Sequence, residues 1–196
     1  IAFRSLEGKI RDKDEQWKTA VHEAGHAVAA LVLAPESLST ATIIPQGRVR
    51  GHVRFVRGES ITESIDVVED NAVIALSGSA AEEIILGKRY TSSMDDFTKA
   101  RRNIFFLLWG IGAYGIEFAG FASSQHGEQP LSTTLAEKGE LICSEKLKEF
   151  YNESTNIISE NKDLVELIAH SLVEKSTLSK DDLLSLYKMK EEQKGA

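Results

Sequence analysis

Most of the chain carries apolar residues at helical spacing, and one short region alternates apolar and polar residues instead. A helix is predicted over 14–33, because this stretch contains one glycine and no proline, and Pro35 follows it. Its second half is apolar nearly all round, which indicates a buried helix. A second helix is predicted over 60–86, ended by Gly87, and a third over 94–108.

The last third of the chain is predicted to be almost entirely helical. From about residue 131 to residue 190 the pattern divides into three helices, with polar breaks at 161–163 and 176–179. The charged tail at 188–196 is predicted to fray. The glycine-rich segment at 110–127 is predicted to be irregular.

Two short strands are predicted between the first two helices. The first covers 40–45, Gln46 and Gly47 form a turn, and the second covers 48–55. The polar face of the second strand carries Arg48, Arg50, His52 and Arg54. We expect this strand face to be exposed to solvent. The alternative is that it contacts acidic groups of a partner. The predicted fold class is therefore mainly α (α+β), with one small sheet beside the first helix.

The first helix carries the pattern H-E-x-x-H, formed by His22, Glu23 and His26. Histidines at i and i+4 share one helix face, so that their ring nitrogens can bind one tetrahedral metal ion. Glu23 is then placed to act as a general base on a water activated by that metal. A lone histidine in an apolar helix is usually a packed core residue, but a pair at ligand spacing favours zinc. We predict one zinc ion per chain.

A catalytic zinc site requires a third protein ligand. The longer pattern that supplies a third histidine from the same segment is absent, because Val32 occupies that position. The remaining histidines stand in segments without a supporting pattern: His52, His126 and His170. The best candidates are the acids of two neighbouring segments, Glu82 and Glu83 in an apolar helix and Asp95 and Asp96 at the start of the next. Spacing alone does not choose among them.

Composition narrows the classes of function and location. The net charge of −7 argues against nucleic-acid binding. The single cysteine, Cys143, excludes an internal disulfide and fits a reducing compartment, so a cytoplasmic location is predicted. The most apolar run, 104–116, is too short to span a bilayer and is predicted to be core. The chain opens at Ile1 without a signal peptide, which suggests an excised fragment, and any membrane tether is expected outside these residues.

Four segments, the first of which contains the H-E-x-x-H motif, make a more specific comparison possible. They are V-H-E-A-G-H-A at 21–27, T-I-I-P-Q-G-R at 42–48, L-S-G-S-A-A-E-E-I-I-L-G at 76–87 and E-K-S-T-L at 174–178. With these segments in the same order, the chain resembles the peptidase domain of the FtsH-type ATP-dependent zinc metalloproteases. The resemblance implies one peptidase domain over 1–196, with the metal site and the sheet in 1–130 and a helical part in 131–196.

The resemblance also assigns roles that spacing leaves open. In that family the third ligand is an aspartate in a T-G-A-x-N-D-L segment, which is similar to T-S-S-M-D-D-F at 91–97, so Asp96 takes the ligand role. Glu82 matches an acid that orients a ligand histidine; a paired core carboxylate is the alternative. The predicted strand at 48–55 matches the family's edge strand, to which an extended substrate adds as another strand.

The chain departs from the family pattern at several positions. Ser92 replaces a glycine, Met94 and Asp95 alter the loop before the third ligand, and Ser79 stands where arginine is usual. No G-x-x-x-x-G-K-[ST] loop occurs, so an ATPase is expected only on a missing segment or as a partner in trans. A ring of subunits is the family's arrangement and is not assumed for this chain.

The resemblance and the motif together predict a zinc-dependent endopeptidase that hydrolyses unfolded or flexible polypeptides, with Glu23 as the general base. The alternative is a catalytically weak peptide-binding module or adaptor that retains the metalloprotease fold. A zinc hydrolase acting on a non-protein substrate is a second alternative, and the edge strand disfavours it because strand addition suits a peptide backbone.

Overall fold

The computed structural model describes residues 12–45, 51–55, 63–116 and 133–194. Within these ranges the chain forms mostly helices and three short strands. In chain order the elements are α1 (Lys13–Leu33), β1 (Leu38–Thr42), β2 (His52–Phe55), α2 (Ile65–Leu86), α3 (Met94–Phe105), α4 (Thr133–Glu160), α5 (Lys162–Lys175), β3 (Thr177–Ser179) and α6 (Lys180–Lys194). A 3₁₀ turn at Thr91–Ser93 precedes α3, and a π-helical turn at Phe106–Gly110 follows it. The predicted mainly α architecture with one small sheet is confirmed.

Helix α1 lies at the centre of the fold. It packs against α2 and α5, and α2 in turn packs against α3 and α4. Ala20, Ala24 and Ala27 are fully buried, and these small side chains let the neighbouring helices approach closely. The prediction that α1 is a buried helix is therefore confirmed, and its buried setting fixes the orientation of the side chains that it carries.

The sheet is antiparallel and has the strand order β2-β1-β3. Its first strand begins two residues and ends three residues earlier than predicted, and the early end arises because the chain turns after Thr42. The Ile43 N–H donates to the carbonyl of Ser176 (3.0 Å), and the Ile44 N–H donates to the Thr42 hydroxyl (3.1 Å). Strand β3 falls in a segment predicted only as a break between helices. Its three residues are too few to show a period in the sequence.

Two further helix boundaries differ from the prediction. Helix α2 begins at Ile65 and not at residue 60, because Ser64 caps it and accepts a hydrogen bond from the Val67 N–H (3.5 Å). Gly87 ends the helix in the left-handed conformation, as predicted. The third predicted helix is α-helical only to Phe105 and continues as the π turn.

Some predictions fall outside the described residues. These are the turn at 46–47, the part of the second strand at 48–50, and residues 117–127 of the segment predicted to be irregular.

Residues 133–194 form the three predicted helices, and β3 occupies the second of the predicted breaks. The prediction of a frayed tail from residue 188 is wrong, since α6 continues to Lys194. Lys190 explains the difference, because its ammonium group is buried and donates to Asn161 Oδ1 (2.7 Å) at the end of α4. The apolar run at 104–116 contributes buried side chains to the core, as predicted. In the ranges that the structure describes, no helix is both long enough and apolar enough to cross a bilayer.

Candidate metal centre

Three potential ligand atoms from two helices lie within 4.8 Å of one another. His22 and His26 lie one turn apart on α1, and Asp96 lies in the first turn of α3. The two Nε2 atoms are 3.0 Å apart, and Asp96 Oδ2 lies 3.1 Å from that of His22 and 3.6 Å from that of His26. Ligands around a tetrahedral zinc with bonds of about 2.0–2.1 Å lie roughly 3.3 Å apart. The observed distances bracket this value.

The outer nitrogens of both rings are fixed by acceptors. The Nδ1 of His22 lies 3.0 Å from Glu82 Oε1, and the Nδ1 of His26 lies 2.8 Å from the carbonyl oxygen of Ile74. A carbonyl and a carboxylate only accept, so each Nδ1 carries the proton and donates it. Each Nε2 is then left with a lone pair, and both lone pairs face Asp96 Oδ2. Three acceptors at this spacing repel one another unless a cation or a proton lies between them, so the donor set fits zinc.

The electrostatics of the protein alone lead to the same conclusion. Burial would lower the pKa of His22, but its hydrogen bonds with Asp96 and Glu82 outweigh this effect and raise the pKa to about 10. Burial would likewise raise the pKa of Asp96, but the two histidines hold it far below its usual range. Lys99 Nζ binds the other oxygen of Asp96, Oδ1, at 2.9 Å. The site therefore attracts positive charge strongly.

A glycine on α2 makes room for the two rings. A Cβ atom at Gly78 would lie 2.6 Å from Nε2 of His26 and 2.7 Å from Cε1 of His22. A Cβ atom essentially never lies this close to another heavy atom, so any side chain here would displace the ligand pair. The ring centroids lie 4.6 Å apart with their planes at 86°, an edge-to-face arrangement that brings both Nε2 atoms to one point.

Glu23 lies beside the histidine pair and is only 5% exposed. Burial raises the pKa of its carboxyl group, and the nearby His26 and His22 offset part of this effect. Gly51, the residue just before β2, lies directly against it, since a Cβ there would be 2.7 Å from Glu23 Oε1. The backbone that leads into β2 therefore passes close to this carboxylate.

The structure distinguishes between the acidic residues that sequence spacing left as equal candidates for the third ligand. Asp96 is buried and faces the histidines, whereas its neighbour Asp95 is exposed. Glu82 is 2% exposed and hydrogen bonds to His22, whereas Glu83 is exposed and accepts a hydrogen bond from the Tyr151 hydroxyl (2.6 Å). Only one member of each acidic pair reaches the site.

The other candidate histidines lie elsewhere or outside the described residues. His52 accepts a hydrogen bond from the Arg54 side chain (3.0 Å), and the ring of His170 packs on Trp17. His126 lies outside the described residues.

Several groups around the site were not predicted from the sequence. The role of the Ile74 carbonyl could not have been predicted from the sequence, because every residue has a backbone carbonyl group. Gly51 and Gly78 do leave a signal, since glycine inside a strand or a helix often marks a close approach of other atoms. Ser93 also lies near the site, and its hydroxyl donates to Glu82 Oε2 (3.0 Å).

Comparison with known proteins identifies relatives of this sequence. The mitochondrial ATP-dependent zinc metalloprotease FTSH 3 of Oryza sativa subsp. japonica is 30% identical over 91% of this chain and 23% of its own length. The ATP-dependent zinc metalloprotease FtsH of Rickettsia bellii is 32% identical over 88% of this chain and 29% of its own length. The FtsH of Bacillus subtilis is 29% identical over 95% of this chain and 31% of its own length. The chain thus spans less than a third of each of these relatives.

The model of peptidase family M41 matches residues 9–186. This range includes both helices that carry the converging side chains and all three strands of the sheet. The resemblance to FtsH-type peptidase domains is confirmed, and the chain belongs to peptidase family M41.

Proposed function

We propose that this chain is a zinc-dependent endopeptidase in which His22, His26 and Asp96 hold one zinc ion. The observation that carries the proposal is the convergence of these three acceptor atoms beside the buried carboxylate of Glu23. The zinc peptidases among the relatives support the same assignment. When bound, zinc lowers the pKa of a water molecule and polarises the scissile carbonyl group.

Glu23 is the general base of the proposed reaction. Its carboxylate takes a proton from the attacking water and later transfers that proton to the nitrogen of the leaving amine. Burial supports this role, because a carboxyl group with a raised pKa is a stronger base than an exposed one. Glu82 orients His22 by accepting the Nδ1 proton, so that the Nε2 lone pair points at the metal.

The sheet edge supports a polypeptide as the substrate. In the described part of the chain, β2 pairs with β1 on one side and has no partner strand on the other. An extended peptide could add to this edge through main-chain hydrogen bonds, as in other cases of strand addition. Because Gly51 lies against Glu23, a peptide bound along β2 would pass close to the base.

The relatives are named as ATP-dependent, and they are much longer than this chain. We infer that folded substrates require an ATPase, either on a further segment or as a partner in trans, whereas unfolded ones do not. The cytoplasmic location predicted above stays a prediction, since some relatives are mitochondrial.

Casein tests the proposal, because it is unfolded and needs no unfoldase. The zinc-loaded chain is incubated with casein beside the Glu23→Gln variant, and bound zinc is measured by elemental analysis. We expect one zinc per chain in both proteins and cleavage by the wild type alone, with the rate of the variant reduced at least about 100-fold.

Two outcomes would contradict the proposal. Normal turnover by Glu23→Gln would exclude Glu23 as the base. One zinc per chain without cleavage by the wild type would exclude the peptidase and favour the peptide-binding module.

A further inference from the structure

Ser93 occupies the position just before α3 that normally caps a helix. Serine is favoured there because its hydroxyl oxygen accepts a hydrogen bond from a free backbone N–H of the first turn. The hydroxyl of Ser93 makes no such bond to α3. It donates instead to Glu82 Oε2 (3.0 Å), and the residue is only 2% exposed. The hydroxyl of Ser93 therefore hydrogen bonds to a residue outside the helix that it precedes.

Glu82 uses both of its carboxylate oxygens. Oε1 accepts from Nδ1 of His22 (3.0 Å), while Oε2 accepts from the Tyr90 N–H and from the Ser93 hydroxyl (3.0 Å each). A carboxylate that is 2% exposed is costly to bury unless its oxygens are hydrogen bonded. The two donors to Oε2 therefore hold the whole carboxylate in one orientation.

These contacts connect the two segments that carry the potential ligands. His22 lies on α1, and the turn from Tyr90 to Ser93 leads directly into the first turn of α3, where Asp96 lies. Glu82 on α2 binds both segments at once. A change in the turn is therefore transmitted to the ring of His22 as well as to Asp96.

We propose that Ser93 is a positioning residue of the metal centre: its hydroxyl holds Glu82, and Glu82 holds the ring of His22. The inference rests on the metal ligation proposed above. It adds a role for a residue that touches neither the metal ligands nor Glu23 directly. Tyr90 contributes only a backbone N–H to this arrangement, so Ser93 is the side chain through which it can be tested.

The test measures the zinc dissociation constant by competition with a chelator. Loss of a partner beyond the ligands typically weakens metal binding about 10–100-fold. For Ser93→Ala we expect a loss of about tenfold, at the lower end, because the Tyr90 N–H still donates to Glu82. We also expect the visible spectrum of the Co²⁺-loaded variant to differ from that of the wild type, because the ring of His22 is held differently.

Ser64→Ala is the matched control. Ser64 also precedes a helix, but it lies at the opposite end of α2 from Glu82, and its hydroxyl forms a true cap with the Val67 N–H. We expect this variant to melt at a lower temperature with an unchanged zinc dissociation constant and an unchanged Co²⁺ spectrum. Far-UV circular dichroism of both variants establishes that they are folded.

The background variant Glu82→Gln shows whether Ser93 acts through Glu82. If it does, adding Ser93→Ala to Glu82→Gln changes the dissociation constant by less than about twofold, whereas independent roles would give losses that multiply. The role of Ser93 would be overturned if the losses of zinc affinity in the two single variants multiplied in the double variant. It would also be overturned if folded Ser93→Ala bound zinc as the wild type does. Either result would leave the proposed peptidase intact. Failure of the wild type to bind zinc would overturn the metal centre itself, and this inference with it.

Discussion

At the scale of single residues, the two histidines differ in what holds their outer nitrogens. His22 donates to the carboxylate of Glu82, whereas His26 donates to the neutral carbonyl of Ile74. A carboxylate partner makes an imidazole more basic. Together with Asp96, Glu82 raises the pKa of His22 to about 10 against the opposing effect of burial. A proton and a metal ion therefore compete for the same nitrogen.

Zinc binding should consequently depend on pH with a definite sign. Below a pKa of about 10, His22 holds a proton that zinc must displace, so the apparent affinity rises about tenfold per pH unit and binding at pH 7 releases about one proton. Calorimetry in buffers of different ionisation enthalpy measures the release. In Glu82→Gln the rise in affinity should level off at a lower pH, because this variant lacks a group that raises the pKa of His22. An affinity for zinc that does not change with pH would contradict the prediction.

The sequence predicts the motif residues more readily than their partners. His22, Glu23 and His26 follow from one helical turn, since an i, i+4 spacing fixes their common face without any knowledge of the fold. Asp95 and Asp96 cannot be ranked in this way, because adjacent residues at a helix start differ only in which one the tertiary structure buries. The family resemblance favours Asp96 over Asp95 as the third ligand, and the observed burial agrees with this assignment.

At the scale of elements, α2 is as important to the candidate site as the helix that carries the motif. It provides the carboxylate of Glu82 and the carbonyl of Ile74, and at Gly78 it leaves space for both rings. The sequence predicts the existence of this helix and its end at Gly87. What the spacing does not predict is which of its faces meets α1, because that depends on packing between distant segments.

Gly78→Ala should damage the site without unfolding the helix. Replacing glycine by alanine within a helix normally stabilises it by about 0.5–1 kcal/mol. Here the new Cβ would overlap with both imidazole rings, so we expect normal helical content and zinc affinity reduced more than about tenfold. Circular dichroism and chelator competition measure the two effects.

Gly110→Ala is the control for this substitution. A Cβ at Gly110 would meet its nearest atom, on Phe106, at 3.5 Å, which is an ordinary contact. We expect it to bind zinc as the wild type does. Equal zinc affinity in Gly78→Ala and Gly110→Ala would show that the rings do not need the space at Gly78.

At the scale of the whole molecule, the proposed zinc ion joins α1 to α3, two helices far apart in the sequence. A ligand present at 1,000 times its dissociation constant stabilises the folded state by about 4.1 kcal/mol. For a chain of this size, each kcal/mol shifts the melting temperature by about 2–4 °C. We therefore expect removal of zinc by a chelator to lower the melting temperature by roughly 8–16 °C, measured by calorimetry.

Two adjacent variants make this measurement specific. Asp96→Asn should melt at the same temperature with and without the chelator, because it loses a proposed ligand. Asp95→Asn should keep the full shift, because this neighbouring carboxylate is exposed. A similar shift in both variants would exclude Asp96 as a ligand.

Sequence patterns are least informative about the pairing of strands that lie far apart in the chain. Strand β3 consists of three residues with one buried side chain, Leu178, between two exposed ones. Alternation over three residues is indistinguishable from a loop, and the partner strand β1 lies in a remote part of the sequence. The two helices that flank it, α5 and α6, are predicted because their periods are local and are repeated many times.

The position of β3 in the sequence determines when the sheet is completed during synthesis of the chain. His22, His26 and Asp96 are all synthesised before Thr177, which lies 135 residues after its neighbour Thr42 in β1. At about 5–20 residues per second, roughly 7–27 s separate the synthesis of these two strands. During that interval the nascent chain already contains its metal-binding side chains, while the sheet next to them lacks one of its three strands. The free edge at β2 is synthesised early, whereas the opposite side of the sheet is completed only when β3 pairs with β1.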